Sequence, residues 1–312
     1  MKILITGALG HIGSKLIHDI RAGEYDEVVL LDNLSTQRYA SLFNLPSGVK
    51  FRFYEEDILK ADLKEFLKGI DVVIHLAAIT DAASSFDKKD LVEEVNYKGT
   101  ERVAKACLAN NCRLIFPSTT SVYGSQSELV DESCGKEDLK PQSPYAESKL
   151  KAEELLHQLG HEKGLKYVIC RFGTIFGISV GMRFHTAINK FCWQAVMKQP
   201  ITVWRTAYDQ KRPYLDLKDA VAAIKFIIDS DLFDQNVYNV VTLNATVRNI
   251  IDNIRVHIPE ISIKYVDTQI MNQLSYEVSN QRLLEKGFKP KGELAKGIAE
   301  TIYLLKNAFG GD

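Results

Sequence analysis

Residues 2–13 (KILITGALGHIG) constrain this chain more than any other stretch: a short apolar strand pattern runs straight into a glycine-rich turn, and a helical pattern follows at once. Glycines at 7, 10 and 13 permit a tight turn and let another group approach the backbone closely. At the same point the free N–H groups and the positive end of a helix dipole converge, which is where a phosphate is bound. A strand, a turn of this kind and a helix belong to a parallel βαβ sheet and receive the pyrophosphate of a dinucleotide. Asp32 then closes the second apolar run. A carboxylate about twenty residues beyond such a turn accepts hydrogen bonds from the adenosine ribose and repels a 2′-phosphate. The pattern predicts NAD rather than NADP, held by Gly7, Gly10, His11, Ile12, Gly13 and Asp32.

Short apolar runs alternate with helical patterns through the first half. Strands are predicted at Ile3–Ile5, Val28–Leu31, Lys50–Tyr54, Asp71–His75, Arg113–Phe116 and Tyr167–Cys170. Helices are predicted near His11–Arg21, Leu59–Leu67, Leu91–Ala109 and Pro144–His161. Continuous apolar strands separated by helices mean a parallel sheet covered on both faces. The fold class is therefore α/β, a Rossmann-type doubly wound parallel sheet with a smaller C-terminal α+β lobe. Residues 1–172 are expected to form the dinucleotide lobe and 173–312 the substrate lobe, with the chain free to cross back between them. The second lobe takes predicted strands near Ile201–Trp204 and Val237–Val240 and helices over Asp219–Ile228, Val247–Val256 and Ala295–Leu305. A net charge of -1 gives no electrostatic case for nucleic acid or an acidic membrane. Five cysteines without a Cys-x-x-Cys pair argue against a disulfide framework and a zinc site, and seven histidines show no ligand spacing. A strand that begins at the second residue leaves no room for a signal peptide, so a reducing cytoplasm is the expected compartment.

Ser143-Pro144 opens a helix, because Ser caps a helix start and Pro suits its first turn. Tyr145 and Lys149 then lie four residues apart on one face. An ammonium beside a phenol is expected to draw the phenol below its usual pKa of about 10, towards the range of a general base. The spacing recurs at Tyr214 and Lys218, but there it spans a predicted strand-to-helix junction and is read as packing. His75, at a strand end, is read as a satisfied core residue.

The glycine turn combined with Tyr145-Ala-Glu-Ser-Lys149 resembles the extended short-chain dehydrogenases/reductases, and within them the NAD-dependent nucleotide-sugar epimerases and dehydratases of the UDP-glucose 4-epimerase type. The likeness covers nearly the whole chain, with motifs in the family's order. It implies dinucleotide contacts from Asn33, Asp57, Ile58, Leu76, Ala77 and Ala78, with Asn96 near the catalytic end. Aligned on Val122-Tyr123-Gly124, Thr119 falls where the family keeps a catalytic hydroxyl. The next two positions, acidic in the 4,6-dehydratases, are Thr120 and Ser121. A hydroxyl cannot replace a carboxylate as proton donor and acceptor near neutral pH. Dehydration and decarboxylation are thereby demoted.

The resemblance also implies a substrate wall. Thr174 stands where the family has an Asn; Arg212, Asn189 and Arg183, in that order, are expected to hold a substrate pyrophosphate. Trp204 is read as a base-stacking residue or a core side chain. From Gln269 to Tyr276 the sequence lacks the Arg that many relatives use as a second phosphate ligand. The expected activity is a nucleotide-sugar 4-epimerase working through a 4-keto intermediate with Tyr145, Lys149 and Thr119. A 4-dehydrogenase or keto-sugar reductase using the same residues is the alternative, and a dinucleotide-binding sensor or scaffold the non-enzymatic one. A homodimer through helices near Leu91–Ala109 and Pro144–His161 is implied as well.

Overall fold

In a computed structural model the chain is described over residues 1–124, 129–267 and 275–309. Seven parallel strands form the main sheet, in the order Val237–Val240, Tyr167–Phe172, Arg113–Thr119, Val72–His75, Lys2–Thr6, Glu27–Asp32 and Phe51–Glu55. The order reverses beside Lys2–Thr6, so a crevice opens at the carboxyl ends of that strand and of Val72–His75. Most of the predicted strands are buried on both faces, which is why their sequences are apolar without alternation. One core cluster packs the helices His11–His18 and Leu217–Asp229 under the sheet. A second packs Gly99–Asn110 and Pro144–Lys163 on the other face.

The structure moves one predicted element. Val237–Val240 pairs in parallel with Tyr167–Phe172 as the edge of the main sheet instead of belonging to the smaller lobe. The preceding helix Leu217–Asp229 buries Leu217, Ala220, Ile224 and Ile227 in the first core cluster, so residues 217–240 return to the sheet after residue 172. What remains of the smaller lobe includes a three-stranded sheet of Leu243–Thr246, Lys211–Asp216 and Thr174–Phe176, packed on Ala187–Val196, Val247–His257 and Leu294–Phe309, and a parallel pair of the predicted strand Ile201–Trp204 with Ile263–Val266.

Three helices differ from their sequence pattern. The one predicted over Leu59–Leu67 is a single turn at Leu63–Phe66, begun where Asp62 accepts from Glu65 N. The N-terminal helix ends at His18, three residues early, where Asp19 caps the last turn. The long helix predicted over Leu91–Ala109 is α-helical at Lys89–Val92, π-helical at Glu93–Lys98 and α-helical again at Gly99–Asn110. The π turn carries Asn96 towards the site, and Gly99 lets the helix settle on Ile58, whose Cδ1 would lie 2.7 Å from a Cβ there. No helix among the described residues is long and apolar enough to cross a membrane.

Candidate active site

The three glycines of the first turn answer to three different demands. Gly7 adopts φ +63°, and a Cβ on it would fall 2.6 Å from Ala77 N, so the turn and the end of the fourth strand are in direct backbone contact. A Cβ on Gly13 would strike Ala8 O at 2.4 Å. Gly10 is different: its missing Cβ would meet Gly7 O at 3.2 Å and otherwise face Arg38 Nη1 at 3.8 Å. Space for a ligand therefore opens at Gly10, against a guanidinium. Asp32 braces this turn by accepting from Leu9 N at 3.0 Å and Leu34 N at 2.9 Å. Asn33 Nδ2 donates to Asp57 at 3.3 Å, so these two residues meet at neighbouring strand ends. The Ile58 side chain is buried in the core, and its carbonyl accepts from Arg102 Nε at 2.9 Å.

Helix Pro144–Lys163 starts as the sequence predicts, with Ser143 Oγ accepting from Ala146 N at 3.2 Å. Thr119 ends the central strand, accepts from Ser121 N at 3.1 Å, and donates to the Tyr145 phenol. Burial holds that phenol above its ordinary value, against the pull of the Arg183 guanidinium and the Thr119 hydrogen bond. Arg183 thus brings to the phenol a cation that the sequence pattern did not offer for this role. Lys149 points elsewhere, donating to Pro117 O at 2.9 Å with its Nζ 4.5 Å from the centre of the Phe116 ring. Burial lowers the Lys149 ammonium to about 7, with the Glu153 carboxylate opposing.

A cavity of about 330 Å³ lies at the carboxyl end of the sheet, under the smaller lobe. It brings together ten of the predicted residues: Ile12, Leu76, Ala78, Thr119, Tyr145, Lys149, Thr174, Arg183, Trp204 and Arg212. Two others are corrected. Asn189 is fully buried and spends its amide on Gly177 N, Gly177 O and Arg183 O, so it shapes a loop and is not part of the cavity wall. Asn96 is likewise fully buried; it accepts from Ile79 N at 2.8 Å and donates to Ile79 O and Ser148 Oγ. Ser148 in turn donates to Tyr145 O, so Asn96 positions the catalytic helix rather than touching a ligand. His75 is satisfied as predicted. Thr100 gives its hydroxyl proton to Asn96 O and so accepts from His75 Nε2, leaving Nδ1 to accept from Thr6 Oγ1 at 2.7 Å. Burial and the nearby Lys149 lower the imidazole to about 3. The second Tyr/Lys pair does separate: Lys218 is bound to Glu300 on the surface, whereas Tyr214 is buried and lines the cavity.

Residues 3–240 match the model of the NAD dependent epimerase/dehydratase family. The chain belongs to that family. An uncharacterized UDP-glucose epimerase of Bacillus subtilis is 28% identical, over all of this chain and all of its own. The UDP-glucuronic acid 4-epimerase of Bacillus cereus, solved in complex with UDP-glucuronic acid and NAD, is 26% identical with a TM-score of 0.88, covering 99% of this chain and 100% of its own. A UDP-N-acetylglucosamine 4-epimerase of Methanobrevibacter ruminantium, solved with UDP-N-acetylmuramic acid, is 25% identical with a TM-score of 0.87, covering 98% of each chain. The cofactor of the family is NAD, and this chain fits it: the opening at Gly10 faces Arg38, and the buried Nε2 of His11 has no protein partner.

Among the residues that sequence reasoning missed, Tyr276 is the clearest. It is buried, lines the cavity and hydrogen-bonds Thr120 and Ser121, the two hydroxyls that replace a dehydratase's acids. It closes the segment from Gln269 that offers no Arg in the sequence, and residues 268–274 lie outside those described. Glu153 was also missed, although it extends the Tyr145 and Lys149 spacing by four more residues. It is buried against Arg171 at 2.7 Å and accepts from Ser118.

Proposed function

We propose that this family member is a nucleotide-sugar 4-epimerase that retains NAD, with Tyr145 as the proton acceptor and donor at the C4 hydroxyl. NAD, when bound, accepts a hydride from that carbon and returns it. Tyr145 as phenolate takes the hydroxyl proton as the carbonyl forms and gives it back after the 4-keto sugar has turned in the pocket. Thr119 donates to the phenol oxygen and to the reacting oxygen in turn. Lys149 holds the cofactor's nicotinamide ribose, and Arg183 supplies the positive charge that favours the phenolate.

The observation that carries this reading is the composition of the cavity wall. Of the two positions that elimination would need as carboxylates, Ser121 lines the cavity beside Tyr145 and Thr119 and Thr120 is buried without lining it, and both are hydroxyls tied to Tyr276. Among the described lining residues the one carboxylate is Asp81, whose oxygen is taken by Ala83 N and Ser84 N, against Lys149, Arg183, Lys190 and Arg212. Such a wall suits a diphosphate and moves one proton at one carbon. The relatives named with UDP-sugars make UDP the nucleotide of first choice. Arg212 and Trp204 are the proposed diphosphate and base contacts, Thr174 a sugar contact. Incubation with a panel of UDP-hexoses should interconvert one 4-epimer pair with no net NADH. Steady NADH production with a keto product, and no epimer, would assign a 4-dehydrogenase instead.

The remaining cofactor contacts form part of the same proposal, with Asp32 on the adenosine ribose, Asn33, Asp57 and the Ile58 backbone near adenine, and residues 7–13 on the pyrophosphate. Replacing Asp32 by Ala should raise the Kd for NAD about 10- to 100-fold, the worth of hydrogen bonds to a charged acceptor, and erase the preference over NADP. Titration calorimetry with both nucleotides reads this; an unchanged NAD to NADP ratio would refute it. The proposed lobes are the sheet lobe, residues 1–172 with 217–240, and the substrate lobe made from the rest. A cytoplasmic homodimer through the helices Gly99–Asn110 and Pro144–Lys163 completes the reading.

A further inference from the structure

The loop of residues 177–183 leaves the strand Thr174–Phe176, reaches across to the glycine turn, and comes back to the helix Ala187–Val196. Its two ends are clipped by one side chain. Asn189 Oδ1 accepts from Gly177 N at 3.2 Å, and its Nδ2 donates to Arg183 O at 3.1 Å. The middle rests on the turn. Gly181 N donates to Ser14 Oγ at 2.9 Å, and Ser179 Oγ lies 2.9 Å from His11 Nδ1. A Cβ on Gly181 would fall 2.5 Å from Leu9 O and 2.7 Å from Gly10 O, so the glycine is required by this contact and not by its backbone conformation. Beyond the loop's docked middle, Arg183 Nη1 donates to Thr80 Oγ1 at 2.5 Å and its charge acts on Tyr145.

We propose that residues 177–183 are a strap that keeps the dinucleotide in its site through turnover, with His11 as the point where strap, turn and cofactor meet. Burial, then the charges of Arg183 and Arg38, keep His11 neutral. When Ser179 donates to Nδ1, the ring proton resides on Nε2, which is buried and has no protein partner. A neutral N–H donor beside two guanidiniums is made for an anionic oxygen, and the pyrophosphate of NAD is the anion this turn receives. Ser179 and Gly181 are thus positioning residues: they fix the tautomer of His11 and hold the strap down. The inference rests on NAD as cofactor and deepens the epimerase reading, because an enzyme that returns its hydride gains from a cofactor that stays.

The test is the rate at which NADH leaves the protein, followed by its fluorescence after a chase with excess NAD. Ser179→Ala should speed release about 3- to 10-fold, the worth of one hydrogen bond, and Ser179→Thr should restore slow release. Gly181→Ala, which lifts the strap off the turn, should release NADH faster than Ser179→Ala. A contact with only a structural role would lower the melting temperature of the NAD-free protein without moving the release rate. Release from Ser179→Ala at the parent rate overturns the proposal, whether or not Gly181→Ala folds. Sugar epimerisation is measured separately, so loss of the epimerase reading would leave a fast-releasing Ser179→Ala intact as support for the strap.

Discussion

Replacing Tyr145 by Phe should lower kcat for epimerisation about 1,000-fold, within the span that a positioned general acid–base group supplies, while NAD content and melting temperature stay at the parent's values. Tyr145 is half-buried, with its phenol at the meeting point of the Thr119 hydroxyl and the Arg183 charge. Its ring can remain where it is when the oxygen is removed. Of the other groups on the wall, His75 has both ring nitrogens engaged and Lys149 is turned to Pro117 O, while Thr119 is the hydroxyl that meets the phenol. A merely structural tyrosine would lose stability instead of rate. Because burial raises the phenol and the Arg183 charge and the Thr119 hydrogen bond oppose only part of that rise, kcat should climb with pH across the alkaline side of neutrality, and this limb should vanish in the Phe variant. A residual rate within tenfold of the parent would remove Tyr145 from the chemistry.

The sheet and the cofactor turn were legible because each rests on local rules. Residues 2–13 need only a strand, three glycines and a helix start, and Ser143-Pro144 fixes the catalytic helix by capping alone. Val237–Val240 was found as a strand but put in the wrong lobe, since a four-residue strand (VYNV) carries no record of which sheet edge it completes. Asn189 and Asn96 were assigned to ligands because a polar residue in a family motif suggests a contact. Only the fold reveals that their amides are used up on Gly177, Arg183, Ile79 and Ser148. A second cation for Tyr145 was not legible for a related reason. Helical spacing puts Lys149 on the same face, but four methylenes let its ammonium reach back to a strand carbonyl, while Arg183 arrives from a loop 38 residues on.

Lys149 leads to the other large effect, one in which activity and stability move in opposite directions. Substitution by Met should abolish epimerisation, and it should also make the NAD-free protein more stable near pH 7 than the parent. The side chain is 4% exposed, and its ammonium is compensated by one carbonyl, the Phe116 ring and the Glu153 charge. Burial is the larger influence, and it brings the folded pKa down to about 7 from 10.5. As pH falls from 10 to 7, the unfolded lysine therefore binds a proton that the folded one does not, and the parent loses stability relative to a chain without this group. Below about 7 both states are protonated and the loss stops growing. Each pH unit in that window is worth about 1.4 kcal/mol, so the stability of Lys149→Met relative to the parent should rise by about 4 kcal/mol between pH 10 and 7 and then level off. Met keeps the length and apolar contact of the stem over Phe116, which limits the cavity term. Urea unfolding of both proteins at pH 6, 7, 8, 9 and 10 gives the difference directly. A difference that does not change with pH would mean that Lys149 stays fully charged in the fold, with Glu153 holding it so, and the ammonium would then be a permanent rather than a titrating charge in the site.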